Sequence, residues 1–265
     1  MSTTARHAQR VAASQQTGER PTVPPPEWTA LPDFASRLPL AGSDQILLIA
    51  GTGGAKSTLA ATLTLGVPSL VAVDEKNRLT LPRAIVHELP PYDREADDGG
   101  MAFRSELADA LRWRPAEQGN RVILRPYVLD IEGFDVHDAI YRAVYLRGHT
   151  ILWIDEITAT GATAQRSQPW LRAISARGRT REIGLITLTQ APFGLSPGIL
   201  RRNATFVIFG PIDPEDTGDM RREAIDIATR LPLQSGYFVV YPKGERAAYK
   251  LRLPIPVGLK GWEAP

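Results

Sequence analysis

Short apolar runs recur along the chain, and polar or glycine-bearing connections separate them. Such runs are typical of buried strands in a parallel sheet, which is covered on both faces. Apolar residues at helical spacing fall between the runs. This alternation predicts an α/β fold, with a mostly parallel sheet and helices on both faces. The predicted strands span residues 46–50, 70–73, 120–129, 151–154, 184–189 and 205–209, and the predicted helices span residues 57–65, 135–146 and 166–176.

The two ends of the chain have a different character. Two short runs joined through Lys243 and Gly244 predict a closing β-hairpin over residues 236–253, and Asp219 is placed to cap a helix at residues 220–229. Residues 1–27 are rich in Thr, Ala, Gln, Arg and Pro, which predicts a disordered arm; a strand added to a neighbour is the alternative. The folded domain is therefore expected over residues 28–265, with an acidic surface insertion at about 90–105.

Composition narrows the classes of function. A chain of 265 residues with 43% hydrophobic and 23% charged residues is long enough to bury one large core. It has no cysteine, which excludes disulfides, thiolate metal sites and cysteine nucleophiles, and its four histidines show no ligand spacing. No apolar run has the length of a membrane span, and no secretory signal is visible, so a cytoplasmic protein is expected. The net charge of +2 is too small to attract nucleic acid without local arginine clusters.

The first candidate site is a glycine-rich turn between the strand at residues 46–50 and the helix that begins at Lys56-Ser57. A strand, a glycine-rich turn and a helix in this order are the context of a phosphate-binding loop. Backbone amides and the positive helix end attract phosphate, Lys56 is expected on the outer phosphates of ATP, and the Ser57 hydroxyl is expected to ligate Mg²⁺. The strict pattern has glycine where this chain has Ala50 and Ala55. The residues expected to bind nucleotide are Gly51, Thr52, Gly53, Gly54, Ala55, Lys56, Ser57 and Thr58.

The second candidate site is an acidic pair at the end of the strand at residues 151–154. A buried strand delivers Asp155 to the Mg²⁺ shell, and the adjacent Glu156 is expected to orient and polarise the attacking water. The strand at residues 184–189 ends in Gln190. Because the carboxyl ends of parallel strands converge on one crevice, Gln190 is expected to reach the γ-phosphate or its water.

These motifs, in this order, resemble the HerA/FtsK superfamily of P-loop ATPases, and in particular phage and viral genome-packaging ATPases. The resemblance covers roughly residues 44–209. It includes the phosphate loop, the strand ending in Asp74-Glu75-Lys76, the acidic pair and the run Leu171–Phe209. That run contains a helix, a Gly-Arg pair, a strand that ends in Thr-Gln, and a further strand. It implies a RecA-like core and a glutamine sensor that links hydrolysis to movement.

The resemblance also implies an assembly. Members commonly form a hexameric ring with ATP at the subunit interfaces, double-stranded DNA in the pore, and an arginine from the neighbouring subunit completing each site. A packaging motor would also meet a capsid portal or vertex protein. The candidates for the arginine are Arg177, Arg179, Arg201 and Arg202.

Other functions remain open on sequence grounds. One is the zonula-occludens-toxin-like branch of the same superfamily, whose members drive filamentous phage assembly and typically carry a membrane span; none is visible here. Another is a non-motor P-loop protein such as a nucleotide kinase or a GTPase. The guanine-specific Asn-Lys-x-Asp signature is absent, and the acidic pair points to water as the phosphoryl acceptor. The last is a loop that binds ATP only as a structural element.

Overall fold

The computed structural model describes residues 28–30, 43–92, 100–115, 119–127, 133–163, 166–190, 198–212, 236–243 and 249–252. Ten strands form one sheet in the order β1-β10-β9-β8-β2-β7-β6-β3-β5-β4. Their bounds are β1 Trp28–Ala30, β2 Gln45–Ile49, β3 Ser69–Val73, β4 Ile85–Leu89, β5 Asn120–Pro126, β6 Thr150–Ile154, β7 Ile183–Thr189, β8 Phe206–Phe209, β9 Tyr237–Pro242 and β10 Tyr249–Arg252.

Most of the strand pairs are parallel, and among the described strands only the two pairs that involve β9 are antiparallel. The seven strands from β8 to β4 therefore share one carboxyl end, and their first residues line the opposite, amino end of the sheet. Every residue of β2, β3, β6 and β7 is buried, as expected for strands that are covered on both faces. The predicted α/β class and the C-terminal hairpin are confirmed.

Helices cover both faces of this sheet. Their bounds are α1 Lys56–Leu63, α2 Met101–Ala110, α3 Gly133–Arg147, α4 Pro169–Arg177 and α5 Gly198–Asn203. Helix α1 packs through Leu59 and Leu63 on one face, against side chains that include Ile46 and Trp153. Helices α2 to α5 pack on the other face, where alternate residues of the same strands, such as Leu152, point.

Three elements differ from the sequence prediction, and the first is the short strand β1, which was not predicted. Strand β4 was not predicted, because its residues are mostly exposed and it pairs only with β5 at the end of the sheet. The predicted acidic insertion at about 90–105 is wrong at its end: residues 101–105 begin α2, and Phe103 is fully buried. Phe103 packs edge-on against Tyr92, which draws this stretch onto the core. The predicted arm at residues 1–27, the helix at residues 220–229 and the middle of the insertion lie outside the described residues.

Candidate functional site

The phosphate loop, residues 50–56, joins β2 to α1 and is tied down by backbone hydrogen bonds. The Gly51 amide donates to the Pro211 carbonyl at 2.8 Å, and the Gly54 amide donates to the Gly51 carbonyl at 3.1 Å. The first amides of α1 have no acceptor within the helix, and its first turn carries no acidic residue. A helix start of this kind favours an anion, so Ser57 and Thr58 present their amides where phosphate is expected.

The alanines at 50 and 55 are accommodated in two different ways. Ala50 fits because the residues that face it are glycines: a Cβ added to Gly54 or Gly210 would lie 2.8 or 2.7 Å from the Ala50 Cβ. Glycine is therefore needed at positions 54 and 210, which face position 50, rather than at position 50 itself. Ala55 adopts the left-handed conformation with φ 57° and ψ 26°, which costs a residue with a Cβ about 1–2 kcal/mol. Gly53 also has a positive φ, of 74°, which glycine tolerates.

Lys56 folds back onto its own loop. Its Nζ donates to the Ala50 carbonyl at 2.7 Å and to the Gly51 carbonyl at 3.0 Å, and the residue is only 8% exposed. Burial lowers the pKa of Lys56 from 10.5 to about 8; the charges of Glu156 and Asp155 oppose this shift, and that of Lys76 adds to it. The loop thus holds its cation on carbonyl oxygens, which phosphate oxygens can replace with stronger, charge-assisted bonds.

We expect ATP affinity to fall as the pH rises through about 8, because the pKa of Lys56 is lowered to that value and only the protonated amine attracts phosphate. Each pH unit above the pKa leaves about ten-fold less of the charged form. Titration calorimetry between pH 7 and 9 measures this loss, and proton uptake on binding accompanies it. Lys56→Arg, which stays charged, should give a flat profile.

Without ATP, the contribution of Lys56 to the free energy of unfolding should change in the opposite direction. Between pH 8 and 10.5 the unfolded chain holds more protons at Lys56 than the folded chain does, so this group makes folding more favourable as the pH rises.

Asp155 and Ser57 form the candidate Mg²⁺ site. The Ser57 hydroxyl donates to Asp155 Oδ1 at 2.8 Å, which brings the start of α1 against the carboxyl end of β6. Burial raises the pKa of Asp155, and the Ser57 bond and the charge of Lys76 offset part of that rise. One hydroxyl and one carboxylate fit Mg²⁺, which keeps several water ligands and takes others from nucleotide phosphates. In the described part of the chain, no group of three or more His, Cys, Asp or Glu side chains is placed to hold a metal ion.

Glu156 lies beside this pair and is held by two groups. The Thr158 hydroxyl donates to its Oε1 at 2.7 Å, and Lys76 Nζ lies 3.6 Å from its Oε2. The backbone of Glu156 is extended, and a 3-10 turn, Ile157–Thr160, begins directly after it. The carboxylate is therefore next to the candidate Mg²⁺ ligands without being bonded to Ser57, as a residue that orients water requires.

We expect two substitutions to separate chemistry from binding. Glu156→Gln keeps the shape of the side chain but cannot polarise water, so ATP should bind and persist with hydrolysis reduced about 10²–10⁴-fold. Asp155→Ala removes the acceptor of Ser57, which is also the expected Mg²⁺ ligand, so it should weaken Mg²⁺-dependent nucleotide binding. Filter binding of labelled ATP with and without Mg²⁺ distinguishes the two variants. An equal loss of binding in both would contradict these separate roles.

Gln190 is brought to the loop. Strand β7 lies between β2 and β6, so its carboxyl end emerges between the loop and the acidic pair. The Thr52 hydroxyl donates to Gln190 Oε1 at 2.9 Å. The Gln190 side chain thus contacts the loop, and its role as a sensor stays a prediction.

The four candidate arginines lie at the other end of the sheet. Arg177 ends α4 ahead of β7, and Arg201 and Arg202 lie in α5, ahead of β8. The Arg179 guanidinium donates to Thr205 Oγ1 at 3.3 Å, at the start of β8. The five residues of β2 separate the two ends of the sheet by about 16 Å. None of the four arginines therefore reaches the phosphate loop of its own subunit.

Several residues that sequence reasoning did not single out for a role surround the acidic pair. Asp74, fully buried, accepts the Leu79 amide at 2.8 Å and pairs with Arg125 at 3.2 Å. Glu75 pairs with the buried His137 on α3. The signal for these residues in the sequence is the charged triplet Asp74-Glu75-Lys76, which directly follows a predicted strand. On its own it indicates only the family resemblance, because the partners of its side chains are distant in sequence.

Similar folds are found among viral packaging proteins and related ATPases. The genome-packaging NTPase B204 of Sulfolobus turreted icosahedral virus 2, solved with AMPPCP, has a TM-score of 0.59 and 18% identity, covering 81% of this chain and 98% of its own. The DNA-packaging ATPase B204 of Sulfolobus turreted icosahedral virus has a TM-score of 0.55 and 21% identity, covering 80% and 98%. VirB4 of Thermoanaerobacter pseudethanolicus has a TM-score of 0.51 and 12% identity, covering 79% and 89%. No protein-family model and no curated protein sequence matches the chain.

The sheet and these likenesses define the fold: the chain has a RecA-like α/β core. The resemblance to genome-packaging ATPases of the HerA/FtsK kind is confirmed at the level of fold. Among the described residues, no helix is long and apolar enough to cross a membrane.

Proposed function

We propose that this chain is a Mg²⁺-dependent ATPase that moves double-stranded DNA, and that it packages a viral genome into a capsid. The observation that carries the ATPase proposal is the convergence of three strand ends. Lys56 and Ser57 follow β2, the acidic pair of Asp155 and Glu156 follows β6, and Gln190 follows β7 between them. These residues would supply a group for each task in ATP hydrolysis: a cation that binds phosphate, ligands for Mg²⁺, a carboxylate that orients water, and a polar sensor.

The chemistry favours water as the phosphoryl acceptor. Glu156 is next to the Mg²⁺ ligands and its carboxylate is held in place by Thr158. When Mg²⁺ is bound it neutralises charge on the β- and γ-phosphates. Lys56 would then leave its loop carbonyls for the phosphates, and Glu156 would take a proton from the attacking water.

The proteins with similar folds support DNA as the substrate that is moved. Two of them are described as genome- or DNA-packaging proteins, and their chains are covered almost completely by this one. A net charge of +2 gives the isolated chain little attraction for DNA. We therefore propose that DNA binding depends on an assembly that concentrates arginines around one channel, with a portal or vertex protein as the docking partner on the capsid.

A head-to-tail ring is the assembly that fits the charge distribution. The carboxyl end of the sheet carries Asp155 and Glu156, whereas the exposed Arg177 and Arg179 lie at the amino end. Docking the amino end of one copy on the carboxyl end of the next brings arginines to the phosphates of the neighbour. Such a heterologous contact closes into a ring when its rotation permits. The family resemblance suggests six subunits.

We expect DNA-stimulated ATPase activity only at protein concentrations where the ring forms. Contacts to phosphates are salt-sensitive and largely indifferent to sequence, so stimulation should fall steeply between low and moderate salt for any duplex. ATPase assays over a protein dilution series, paired with electron microscopy of the same samples, check this. Hydrolysis that ignores DNA at every salt and protein concentration would remove the translocase from the proposal and leave the ATPase.

A further inference from the structure

We propose that Lys76 is a positioning residue for hydrolysis: it holds the Glu156 carboxylate in the orientation from which that group activates water. This inference rests on the proposed ATPase function. The side chain of Glu156 is only 6% exposed, and its two carboxylate oxygens have different surroundings. One oxygen accepts the Thr158 hydroxyl at 2.7 Å, and the other has no hydrogen-bond donor in the described part of the chain but faces Lys76 Nζ at 3.6 Å.

The two holding groups come from the turns that follow two different strands, which fixes the plane of the carboxylate. Thr158 lies two residues after Glu156, in the turn that follows β6. Lys76 follows β3, the neighbour of β6 in the sheet. A carboxylate that is held at one oxygen can still turn about its last bond, whereas a carboxylate held from two sides is confined to one orientation.

Lys76 is itself presented by an anchored turn. Asp74, before it, accepts the Arg78 amide at 3.2 Å and the Leu79 amide at 2.8 Å, so the carboxylate closes the turn through which Lys76 passes. Glu75 pairs with the buried His137, which ties the same turn to α3. Each residue of the triplet thus points to a different partner, and only the Lys76 side chain, 39% exposed, reaches towards the acidic pair.

Lys56 does not supply this contact. Its amine is bonded to the Ala50 and Gly51 carbonyls, and it is expected to turn towards phosphate when ATP binds. The cation paired with Glu156 is Lys76 in this structure, and it remains available to that carboxylate once Lys56 engages the nucleotide. The two lysines therefore have separate tasks: Lys56 binds phosphate and Lys76 orients the base.

The test compares Lys76→Met, which keeps the length of the side chain without its charge, with Lys76→Arg and Glu156→Gln. In Lys76→Met we expect kcat to fall about ten-fold or more, as part of the 10²–10⁴ that a general base contributes, with little change in the KM for ATP. Lys76→Arg should keep most of the activity. Arg112→Met is the control for the loss of one surface charge, because Arg112 is 73% exposed and pairs only with the surface carboxylate of Asp109.

The decisive arm repeats Lys76→Met in the Glu156→Gln background, with single-turnover hydrolysis as the measurement. If Lys76 acts through Glu156, the second substitution produces no further loss. A second readout needs no nucleotide: thermal unfolding should show that Lys76→Met lowers the melting temperature of the parent more than that of Glu156→Gln, because only the parent has the buried carboxylate whose ion pair with Lys76 is lost.

Three results would overturn the inference. The first is an unchanged or higher kcat in Lys76→Met. The second is a loss of ATP affinity at constant kcat, which would place Lys76 on the nucleotide instead. The third is an equal loss of kcat with and without the Glu156 carboxylate. A parent chain that hydrolyses no ATP would contradict the proposed function itself. If the parent is active and Lys76→Met is equally active, only this inference is contradicted.

Discussion

Replacing Lys56 with alanine is expected to reduce ATP hydrolysis to background. The substitution removes the only lysine of the phosphate loop, whose amine is held within the loop by the Ala50 and Gly51 carbonyls. Loss of one electrostatic clamp on a transferring phosphoryl group costs about 10²–10³ in rate, and the lost phosphate contact adds weaker binding. Lys76 does not take this place, because it is engaged with Glu156.

The fold should survive the substitution. Both carbonyls lose the lysine as a donor, but the Gly51 carbonyl keeps the Gly54 amide. The cost is therefore that of one unsatisfied carbonyl, at Ala50, about 1–3 kcal/mol. Circular dichroism and thermal unfolding check the fold, and a phosphate-release assay measures the rate. Arg112→Ala, which removes an exposed cation, is the control. Hydrolysis by Lys56→Ala at the parent rate would show that the loop does not hold the reacting phosphates.

The second large effect concerns the arginines at the amino end of the sheet. We expect alanine at Arg177 or Arg179, or failing these at Arg201 or Arg202, to lower hydrolysis by about 10³–10⁵, the contribution of an arginine supplied by a neighbouring subunit. Because these residues lie at the amino end of the sheet, and the loop follows the carboxyl end of β2, a strand about 16 Å long, any catalytic effect must act across an interface. The same variants should still bind ATP, since Lys56 and Asp155 are intact.

Mixing experiments test this geometry. An inactive arginine variant has an intact loop, and Lys56→Ala has intact arginines, so a mixed ring contains some interfaces in which both are present. Partial recovery of hydrolysis on mixing is the expected result, and neither variant alone should recover. If none of the four variants loses activity, or if lost activity never returns on mixing, the shared-site ring is wrong for this protein.

Much of the candidate site was predictable because its residues lie at the ends of short apolar runs in the sequence. Fully buried parallel strands produce the continuous apolar runs at β2, β6 and β7, and motif residues lie at the ends of those runs. Lys56, the acidic pair and Gln190 could therefore be proposed as site residues from the residues and their spacing. The order of the strands could not, because pairing joins segments as far apart as β2 and β8. That order is what places Gln190 between the loop and the acidic pair.

What the sequence alone determined is the α/β class, the closing hairpin, and the positions of the candidate phosphate loop and the acidic pair, all of which depend on neighbours in the chain. Tertiary structure decided the rest. It showed that Ala50 fits because Gly54 and Gly210 face it, and that Lys76 reaches Glu156 from a neighbouring strand. It also put Arg179 at the end of the sheet opposite the loop. Each of these depends on atoms brought together from distant segments, and no local spacing of residues records such contacts.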